Sequence, residues 1–544
     1  MTKQENDRIM GNLKIGLTFS GGGYRAACFH LGALAYLDSI KVEEQHTLLE
    51  YVTTLSTISG GTITGLRYML GISRGESVQS ISRDLYNFLL NTDLVTSALD
   101  NLSQYEKGKY PSLIRTMSGI YDKELFKGAV FGDLIDAWEK SPIKHFSANA
   151  TDFTHGLPFR FQLTEKISCA AGTPYEYGLI GNEEIQLPRT VACHIRLSDI
   201  LACSSCFPSG FEPMVFPTDF TWKDFATIKL LLDEIKPTGI MDGGIVDNQG
   251  IEPVLLAEER MKRDCPERKD KCLDLVIVSD VSSPYMDAYQ PSQISLPKAV
   301  RNLSLNRISG ILSGVEIATA ALFAGSLFCP IRYVSDVFFI LFMLSTLLWI
   351  INSLIKRYFI KMVGETIAKH GIPSILNLRA GDLFTLLANR VSSVLMLTTS
   401  VFMKHIRRLE YARIYKDKGW MNRRITNTVY ELRENERWME KIASGKLSKD
   451  LAPSIAMQKN SNKAADMGTT LWFTPTDKAK GIPEALIAAG QYTICWNLLE
   501  YIDNIKRNPE NINETHRLIV ACEAQLREDW EKFKKDPLFK NSFV

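Results

Sequence analysis

The sequence predicts an α/β protein in which helices cover a mixed or parallel sheet. Apolar runs at Ile15–Phe19, Leu49–Leu55 and Leu273–Val278 are typical of strands, and amphipathic stretches such as Ala26–Ile40 alternate with them. This alternation is characteristic of strands that are joined by crossover helices. Helical periodicity over residues 71–145 indicates a helical cap above the sheet.

The composition excludes several classes of protein. Of the 544 residues, 45% are hydrophobic and 23% are charged, which is enough apolar material for a sizeable core. The 63 Lys and Arg residues nearly balance the 61 Asp and Glu residues, so the strongly basic charge of a nucleic-acid-binding protein is missing. The N-terminus lacks the pattern of a signal peptide, so we do not expect export by that route.

The ten cysteines predict free thiols in a reducing compartment. Cys203 and Cys206 have CxxC spacing, but no second such pair exists to complete a zinc site. We therefore expect no metal at this position.

An uncharged segment in the middle of the chain predicts a membrane-spanning helix. Val337–Ile355 holds 19 residues without a charge, and a helix of that length extends about 29 Å, close to the thickness of a bilayer core. Ile308–Phe328 precedes it with Glu316 as its single charge, and Pro330 between the two suits the turn of a helical hairpin. Basic residues flank the pair on both outer sides, so the positive-inside rule places both chain termini in the cytoplasm. A hairpin buried in a soluble core is the alternative.

The sequence predicts that the remainder of the chain is mainly helical. Long helices are expected over residues 361–444, an exposed polar loop over 445–470, and a further helical region over Pro483–Lys532 with a break near Gly490. The basic, aromatic stretch Lys404–Arg424 is interpreted as a solvated helix face, although an anionic-lipid or nucleic-acid patch is an alternative.

These patterns divide the chain into three parts, the last of which is expected to pack on the first. Self-association through the long helices stays open. The predicted parts are an α/β domain at 13–300, a transmembrane hairpin at 301–360 and a helical C-terminal region at 361–544.

Three consecutive glycines, Gly21, Gly22 and Gly23, follow the first strand and open a helix. Glycines let the backbone approach a ligand closely, and N–H groups at a helix N-terminus attract anions. The anion could be a phosphate or a developing oxyanion, since Gly21-x-Gly23-x-x-Ala26 also matches a dinucleotide fingerprint. A P-loop is excluded because GK[ST] is absent.

Ser59 lies where an apolar strand turns into a helix, and Gly60 and Gly61 follow it. Small neighbours at such a turn are typical of a nucleophile elbow, although Thr57 replaces the usual first glycine. An ordinary turn is the alternative for a Ser-Gly-Gly sequence by itself.

A serine nucleophile needs a base, and Asp242 in Met-Asp-Gly-Gly is the candidate. No histidine stands in a motif downstream of it, and His30 and His194 are expected to be structural. The residues therefore favour a Ser–Asp dyad over a Ser–His–Asp triad.

Five blocks in this order resemble the patatin-like phospholipase family over about residues 13–285. They are GGGYRAA, STISGGT, NATDFTHG, ACSSCFPSGFEP and DGG. The sequence departs from the family at Thr57 and at Ala26, where glycine is usual.

The resemblance implies a patatin-like sheet and a role for each matched residue. Ser59 would be the nucleophile on an elbow that includes Gly60 and Gly61, Asp242 the base, and the glycines of residues 21–23 the oxyanion hole. Arg25 matches the family's arginine after the glycines, and we expect it only to order that loop. No metal or organic cofactor is implied.

The expected function is that of a membrane-anchored serine lipid acyl hydrolase, of phospholipase A or lysophospholipase type. Its partners would be the phospholipid substrate and the lipid bilayer, without nucleic acid, and its catalytic domain would face the cytoplasm. Two alternatives remain: a non-catalytic membrane scaffold with a degenerate patatin fold, and a dinucleotide-binding oxidoreductase.

Overall fold

The structure is a computed structural model. It describes residues 13–42, 46–102, 111–138, 141–164, 180–208, 210–264, 273–286, 288–292, 297, 301–328, 330–363, 377–434, 436–507 and 514–541. Two compact units divide the chain: one comprises Met1–Met286 with Thr399–Val544, and the other comprises Asp287–Thr398.

The first unit contains an eight-stranded sheet among the residues described. Its strands are β1 (Ile15–Phe19), β2 (Val52–Ile58), β3 (His145–Asp152), β4 (Leu157–Thr164), β5 (Met214–Phe216), β6 (Thr238–Asp242), β7 (Leu275–Asp280) and β8 (Arg424–Thr428). The strand order is β5-β6-β3-β2-β1-β7-β8, and β4 also pairs with β3. Strands β3, β2, β1, β7 and β8 run parallel, whereas β4 and β6 are antiparallel to β3.

The α/β sheet with covering helices predicted from the sequence is therefore present. The central strand β1 is buried along its whole length, as expected of a parallel strand with both faces covered. The helices up to the end of β7 are α1 (Gly23–Ser39), α2 (Gly60–Ser73), α3 (Val78–Asn91), α4 (Leu94–Asn101), α5 (Leu113–Tyr121), α6 (Phe131–Ala137), α7 (Arg189–Ala192), α8 (Leu197–Ser204), α9 (Phe225–Asp233) and α10 (Ile251–Asp264).

The second unit is helical in its described part. Its helices are α11 (Leu305–Ser326), α12 (Arg332–Val363) and α13 (Ala380–Met396). Helices α11 and α12 pack against each other, with a hydrogen bond between the Thr319 and Ser345 hydroxyls (2.8 Å) and another from Trp349 Nε1 to Ser313 Oγ (3.0 Å).

Within the part of the chain that the structure describes, three helical segments have the length and apolarity needed to cross a membrane: Asn306–Ser326, Tyr333–Leu354 and Ala380–Tyr415. Almost none of the residues in the apolar windows of the first two are buried, 0% and 6% respectively. The sequence analysis assigned those two to a hairpin but treated the third only as a helix.

The C-terminal part of the first unit completes the sheet. The prediction of a purely helical region was incomplete, because β8 pairs in parallel with β7. The predicted loop at 445–470 was wrong, since it contains a helix at Ile455–Ala465 in which Met457 and Ser461 are buried. The helices here are α14 (Phe402–Tyr415), α15 (Glu436–Ala443), α16 (Ile455–Ala465), α17 (Pro475–Ala479), α18 (Ile482–Arg507), α19 (Glu514–Ala521) and α20 (Glu523–Lys535).

Helix α18 runs through Gly490 without the predicted break. It crosses α1 so closely that a Cβ on Gly490 would lie 2.0 Å from the Phe29 carbonyl oxygen, and one on Gly32 would lie 2.0 Å from that of Ile487. These two glycines thus allow a backbone-to-backbone contact, and Gly490 serves helix packing rather than helix termination.

Candidate active site

Ser59 lies at the turn between β2 and α2 in a strained conformation. Its φ of 51° and ψ of −120° are rare for a residue with a side chain. Such strain persists only where the surrounding structure enforces it, and it is common at functional sites. The Ser59 side chain is presented at the carboxyl end of the parallel strands, where α/β proteins bind their ligands.

The glycines after Ser59 allow the chain to pass close to its neighbours. A Cβ on Gly60 would lie 2.1 Å from the Gly23 carbonyl oxygen, and one on Gly61 would lie 2.4 Å from that of Phe19. A larger residue would push the elbow away from the glycine-rich loop at Gly60 and from the end of β1 at Gly61, so both glycines are sterically required.

Thr57 fits the elbow although the family pattern has glycine there. Its Cγ2 occupies space beside Gly65 of α2, where an added Cβ would lie only 2.3 Å away. Its hydroxyl donates to the Ser147 carbonyl (3.3 Å). A small residue on the facing helix therefore compensates for the larger residue on the strand.

The hydroxyl of Ser204 connects three parts of this region. It accepts a hydrogen bond from the Ser59 backbone N–H (2.9 Å) and donates to the Asn149 carbonyl (2.7 Å). It also hydrogen-bonds the Thr62 hydroxyl (2.8 Å). The Asn149 side chain in turn donates to the Thr57 carbonyl (3.0 Å), so the elbow is fixed from β3 and α8.

Asp242 ends β6, and the sheet register brings it towards Ser59. Asp242 lies opposite Ala150, while Asn149 lies opposite Ile58, the residue before Ser59. Its carboxylate accepts a hydrogen bond from the Gly244 N–H (2.7 Å). Burial raises the pKa of Asp242 to about 6, and the Gly244 N–H and the Ser59 side chain act in the opposite direction.

The three glycines of the loop differ in whether their N–H groups already donate a hydrogen bond. The Gly21 N–H donates to the Asn248 carbonyl (3.1 Å), so it is already engaged. For Gly22 and Gly23, no acceptor is found among the residues that the structure describes. Their φ angles of 145° and 59° suit glycine, so both N–H groups can face a ligand.

Arg25 ties this loop to the C-terminal region. Its guanidinium donates to the Met467 carbonyl (2.8 Å), the Tyr430 hydroxyl (3.2 Å) and the Thr469 hydroxyl (3.3 Å). These contacts agree with the loop-ordering role expected from the sequence.

The site opens into one cavity of about 600 Å³. Ser59, Asp242 and the glycines of residues 21–23 line it together. Its apolar lining includes Val95, Leu113, Phe207, Phe211, Met403, Leu471 and Trp472. The cavity therefore combines an apolar wall with a small polar centre, as a site for a lipid-like ligand requires.

The histidines singled out by the sequence do not join this centre. His30 is buried in α1, where its ring bonds the Ser279 hydroxyl and the Ser20 carbonyl, both at 3.0 Å. Burial lowers the pKa of His30 to about 4. His194 is half-buried and is absent from the cavity lining.

Cys203 and Cys206 are buried free thiols. Cys203 contacts the Met214 sulfur (3.7 Å), and Cys206 donates to the Glu212 carbonyl (3.0 Å). Burial raises the pKa of both thiols. Within the described ranges, no cluster of His, Cys, Asp and Glu that could hold a metal ion is found.

Sequence reasoning did not single out Ser204, Asn248 or Lys404, all of which bear on the site. Ser204 lies inside one of the five sequence blocks that resemble the family, and Asn248 follows Asp242 by six residues. Their proximity to these motifs could have indicated a place near the site. Lys404 lies in a stretch whose basic character was noted, but no local pattern indicated that it lines the cavity.

Residues 17–255 match the sequence model of the patatin-like phospholipase family. The resemblance noted in the sequence is thereby confirmed for this segment. The match supports a lipid hydrolase.

No curated protein matches the chain. Among solved structures, human GIVD cytosolic phospholipase A2 is similar at 16% identity with a TM-score of 0.32. That similarity covers 51% of this chain and 45% of the other, so the chain spans less than half of that protein.

The contact between Thr57 and Gly65 predicts coupling between the two positions. Gly65→Ala should lower the free energy of unfolding by about 2 kcal/mol, because its methyl group would overlap Thr57 Cγ2. Thr57→Ser removes that methyl group and keeps the hydroxyl, so the double variant should recover at least half of the loss. Thermal unfolding of the four proteins of this double-mutant cycle measures the coupling. Strictly additive effects would contradict the prediction.

Proposed function

We propose that the protein is a membrane-anchored serine lipid acyl hydrolase that releases fatty acids from glycerolipids, with Ser59 as nucleophile and Asp242 as base. The observation that carries the proposal is that Ser59, on a strained turn, and the buried Asp242 line the same largely apolar cavity. The family match supports the same class of reaction.

In the first half-reaction, Asp242 accepts the proton of the Ser59 hydroxyl as its oxygen attacks the ester carbonyl carbon. The resulting oxyanion would be held by the N–H groups of Gly22 and Gly23, since that of Gly21 is engaged. Each such donor contributes roughly 3–4 kcal/mol to stabilisation of the transition state in comparable sites. Collapse of the intermediate breaks the ester bond, and the leaving alcohol takes the proton from Asp242.

In the second half-reaction, water attacks the acyl-enzyme. Asp242 removes a proton from the water, the oxyanion is stabilised at the same N–H groups, and the fatty acid leaves as the Ser59 oxygen is protonated again. A single carboxylate thus acts as base and acid in turn, which requires a pKa not far from the working pH. The raised pKa of Asp242 suits this role.

The two apolar helices at Asn306–Ser326 and Tyr333–Leu354 support membrane anchoring by a hairpin. Their apolar side chains are largely exposed to the surroundings, which is unfavourable in water and favourable in lipid. Basic flanks place both termini and the catalytic domain on the cytoplasmic side in this proposal. A tether to the bilayer keeps the enzyme where its substrate is concentrated.

Ser59→Ala and Asp242→Asn should each lower fatty-acid release by about a thousand-fold or more, because each removes a group that acts as part of one catalytic unit. Mass spectrometry of lipids released in mixed-phospholipid nanodiscs measures the loss. Ser80→Ala, an exposed serine on α3, is the control for substitution itself.

Normal release by either site variant would refute the dyad. If no release is detected, a fluorophosphonate that labels the wild type but not Ser59→Ala would distinguish an inactive enzyme from a non-catalytic scaffold. Labelling needs an activated serine.

The rate should depend on the ionisation of Asp242. Because the carboxylate must be ionised to act as base, and because burial raises its pKa to about 6, kcat/KM should rise up to about pH 6 and level off above it. Well below that pH the fall should approach tenfold per pH unit. The profile is measured on a water-soluble ester, so that the bilayer does not change with pH. A rate that stays constant from pH 4 to pH 8 would exclude Asp242 as the base.

Arginines placed in the second span should weaken membrane association. Leu344 and Leu348 are both 53% exposed near the middle of α12, and an arginine at a helix centre costs about 2.5–3.5 kcal/mol for insertion. The double variant should be released from membranes by alkaline carbonate to a larger extent than wild type. Leu538→Arg, at an exposed leucine outside the spans, is the control. Equal retention of all three proteins would contradict anchoring by this helix.

A further inference from the structure

Lys404 lines the same cavity as Ser59, although it lies far outside the family-matched segment. It is in α14, and its neighbour Met403 contacts the turn that follows Asp242. A Cβ on Gly244 would lie 3.0 Å from Met403 Cε. Helix α14 therefore brings Lys404 to the wall of the catalytic cavity.

Helix α14 is anchored at this place by a buried ion pair. Arg407 donates to Asp280 at the end of β7 (2.9 Å), and Tyr411 donates to the same oxygen (3.0 Å). Ile414, further along the helix, is buried in the core. Lys404, one turn before Arg407, is thus held on a rigid element rather than on a loop.

The ammonium group of Lys404 has no acceptor among the residues described, whereas its cationic neighbours are occupied. Arg407 is paired with Asp280, and Arg25 is held by neutral oxygens. Asp280 attracts the Lys404 ammonium, but its carboxylate is already paired with Arg407, and the charges of Arg407, Arg25 and Arg408 repel the ammonium. An unpaired cation in such surroundings favours an anionic ligand.

The cavity wall therefore carries more positive than negative charge. Among the described residues, its charged lining consists of Arg25, Lys404, Arg407 and Asp242. Because Asp280 neutralises Arg407, the excess comes from Arg25 and Lys404 against the carboxylate of Asp242. A neutral acylglycerol offers no group to balance this excess. In a glycerophospholipid, only a few bonds of the glycerol backbone separate the ester carbonyl from the phosphate, so both can lie in one cavity.

We propose that Lys404 binds the phosphate of a glycerophospholipid whose ester carbonyl lies at Ser59, and that it thereby selects phospholipids over neutral acylglycerols. This inference rests on the proposed hydrolase function. The residue is supplied by the C-terminal region, which gives that region a part in substrate selection.

The test uses the full chain held in amphipol, without a bilayer, and two monomeric lipids with the same short acyl chains. One is dihexanoylphosphatidylcholine and the other is dihexanoylglycerol. Equilibrium binding is measured in the Ser59→Ala background, so that binding is separated from turnover. Wild-type hydrolysis of both lipids is measured in parallel.

Lys404→Met should reduce the preference for the phospholipid, expressed as the ratio of the two Kd values, by about tenfold or more, since a charge-assisted hydrogen bond is lost. Lys404→Arg should restore most of that preference because it keeps the charge. Lys416→Met, just beyond the exposed end of α14, is the matched control and should leave the ratio as in the parent.

A ratio unchanged within twofold in Lys404→Met would overturn the role of Lys404, even if the wild type hydrolyses both lipids. An absence of hydrolysis by the wild type, with the Kd ratio still dependent on Lys404, would instead count against the proposed catalysis and retain the phosphate site. Monomeric lipids also exclude the alternative that Lys404 acts only by attracting the surface of an anionic bilayer.

Discussion

The hydrogen bond from the Ser59 backbone N–H to the Ser204 hydroxyl holds together the parts from which the site is built. Ser59 has a backbone conformation that an isolated chain would avoid, so it needs external support. Ser204 supplies that support, and its hydroxyl in turn donates to the Asn149 carbonyl of β3. Because β3 also pairs with β6, the same set of contacts determines where Asp242 lies. The position of the dyad is thus a property of the sheet rather than of one loop.

Glycines also hold the Ser59 turn in place, because they allow close backbone contacts on the side of the glycine-rich loop. Gly60 comes so close to the backbone of Gly23 that the elbow could not accept a side chain there, and a side chain on Gly23 would meet the backbone of Thr470. Thr57 and Gly65 form a second close contact, in which the larger residue lies on the strand and the smaller one on the helix. The departure from the family pattern at Thr57 is therefore structurally accommodated, and the elbow keeps its shape.

The C-terminal region contributes to the site as well as to the core. It adds β8 to the sheet, packs α18 on α1 and supplies Trp472 and Lys404 to the cavity wall. Residues beyond the family-matched segment thus complete the cavity around groups that the segment provides. In the proposed mechanism, the patatin-like domain supplies the chemistry and the later residues shape what can bind.

The sequence alone determined the positions of the glycine-rich loop, Ser59 and Asp242, and the existence of two long apolar segments. These features have local causes, since consecutive glycines, a serine between a strand and a helix, and an uncharged run are each visible in neighbouring residues. Three features emerge only in the folded chain: the contact of Ser204 with the elbow, the presence of Lys404 at the cavity wall and the pairing of β8 with β7. They depend on contacts between residues far apart in the chain, and such contacts leave no local pattern. Gly490 illustrates the difference, because in sequence it resembles a helix break, whereas packing against Phe29 requires it inside a continuous helix.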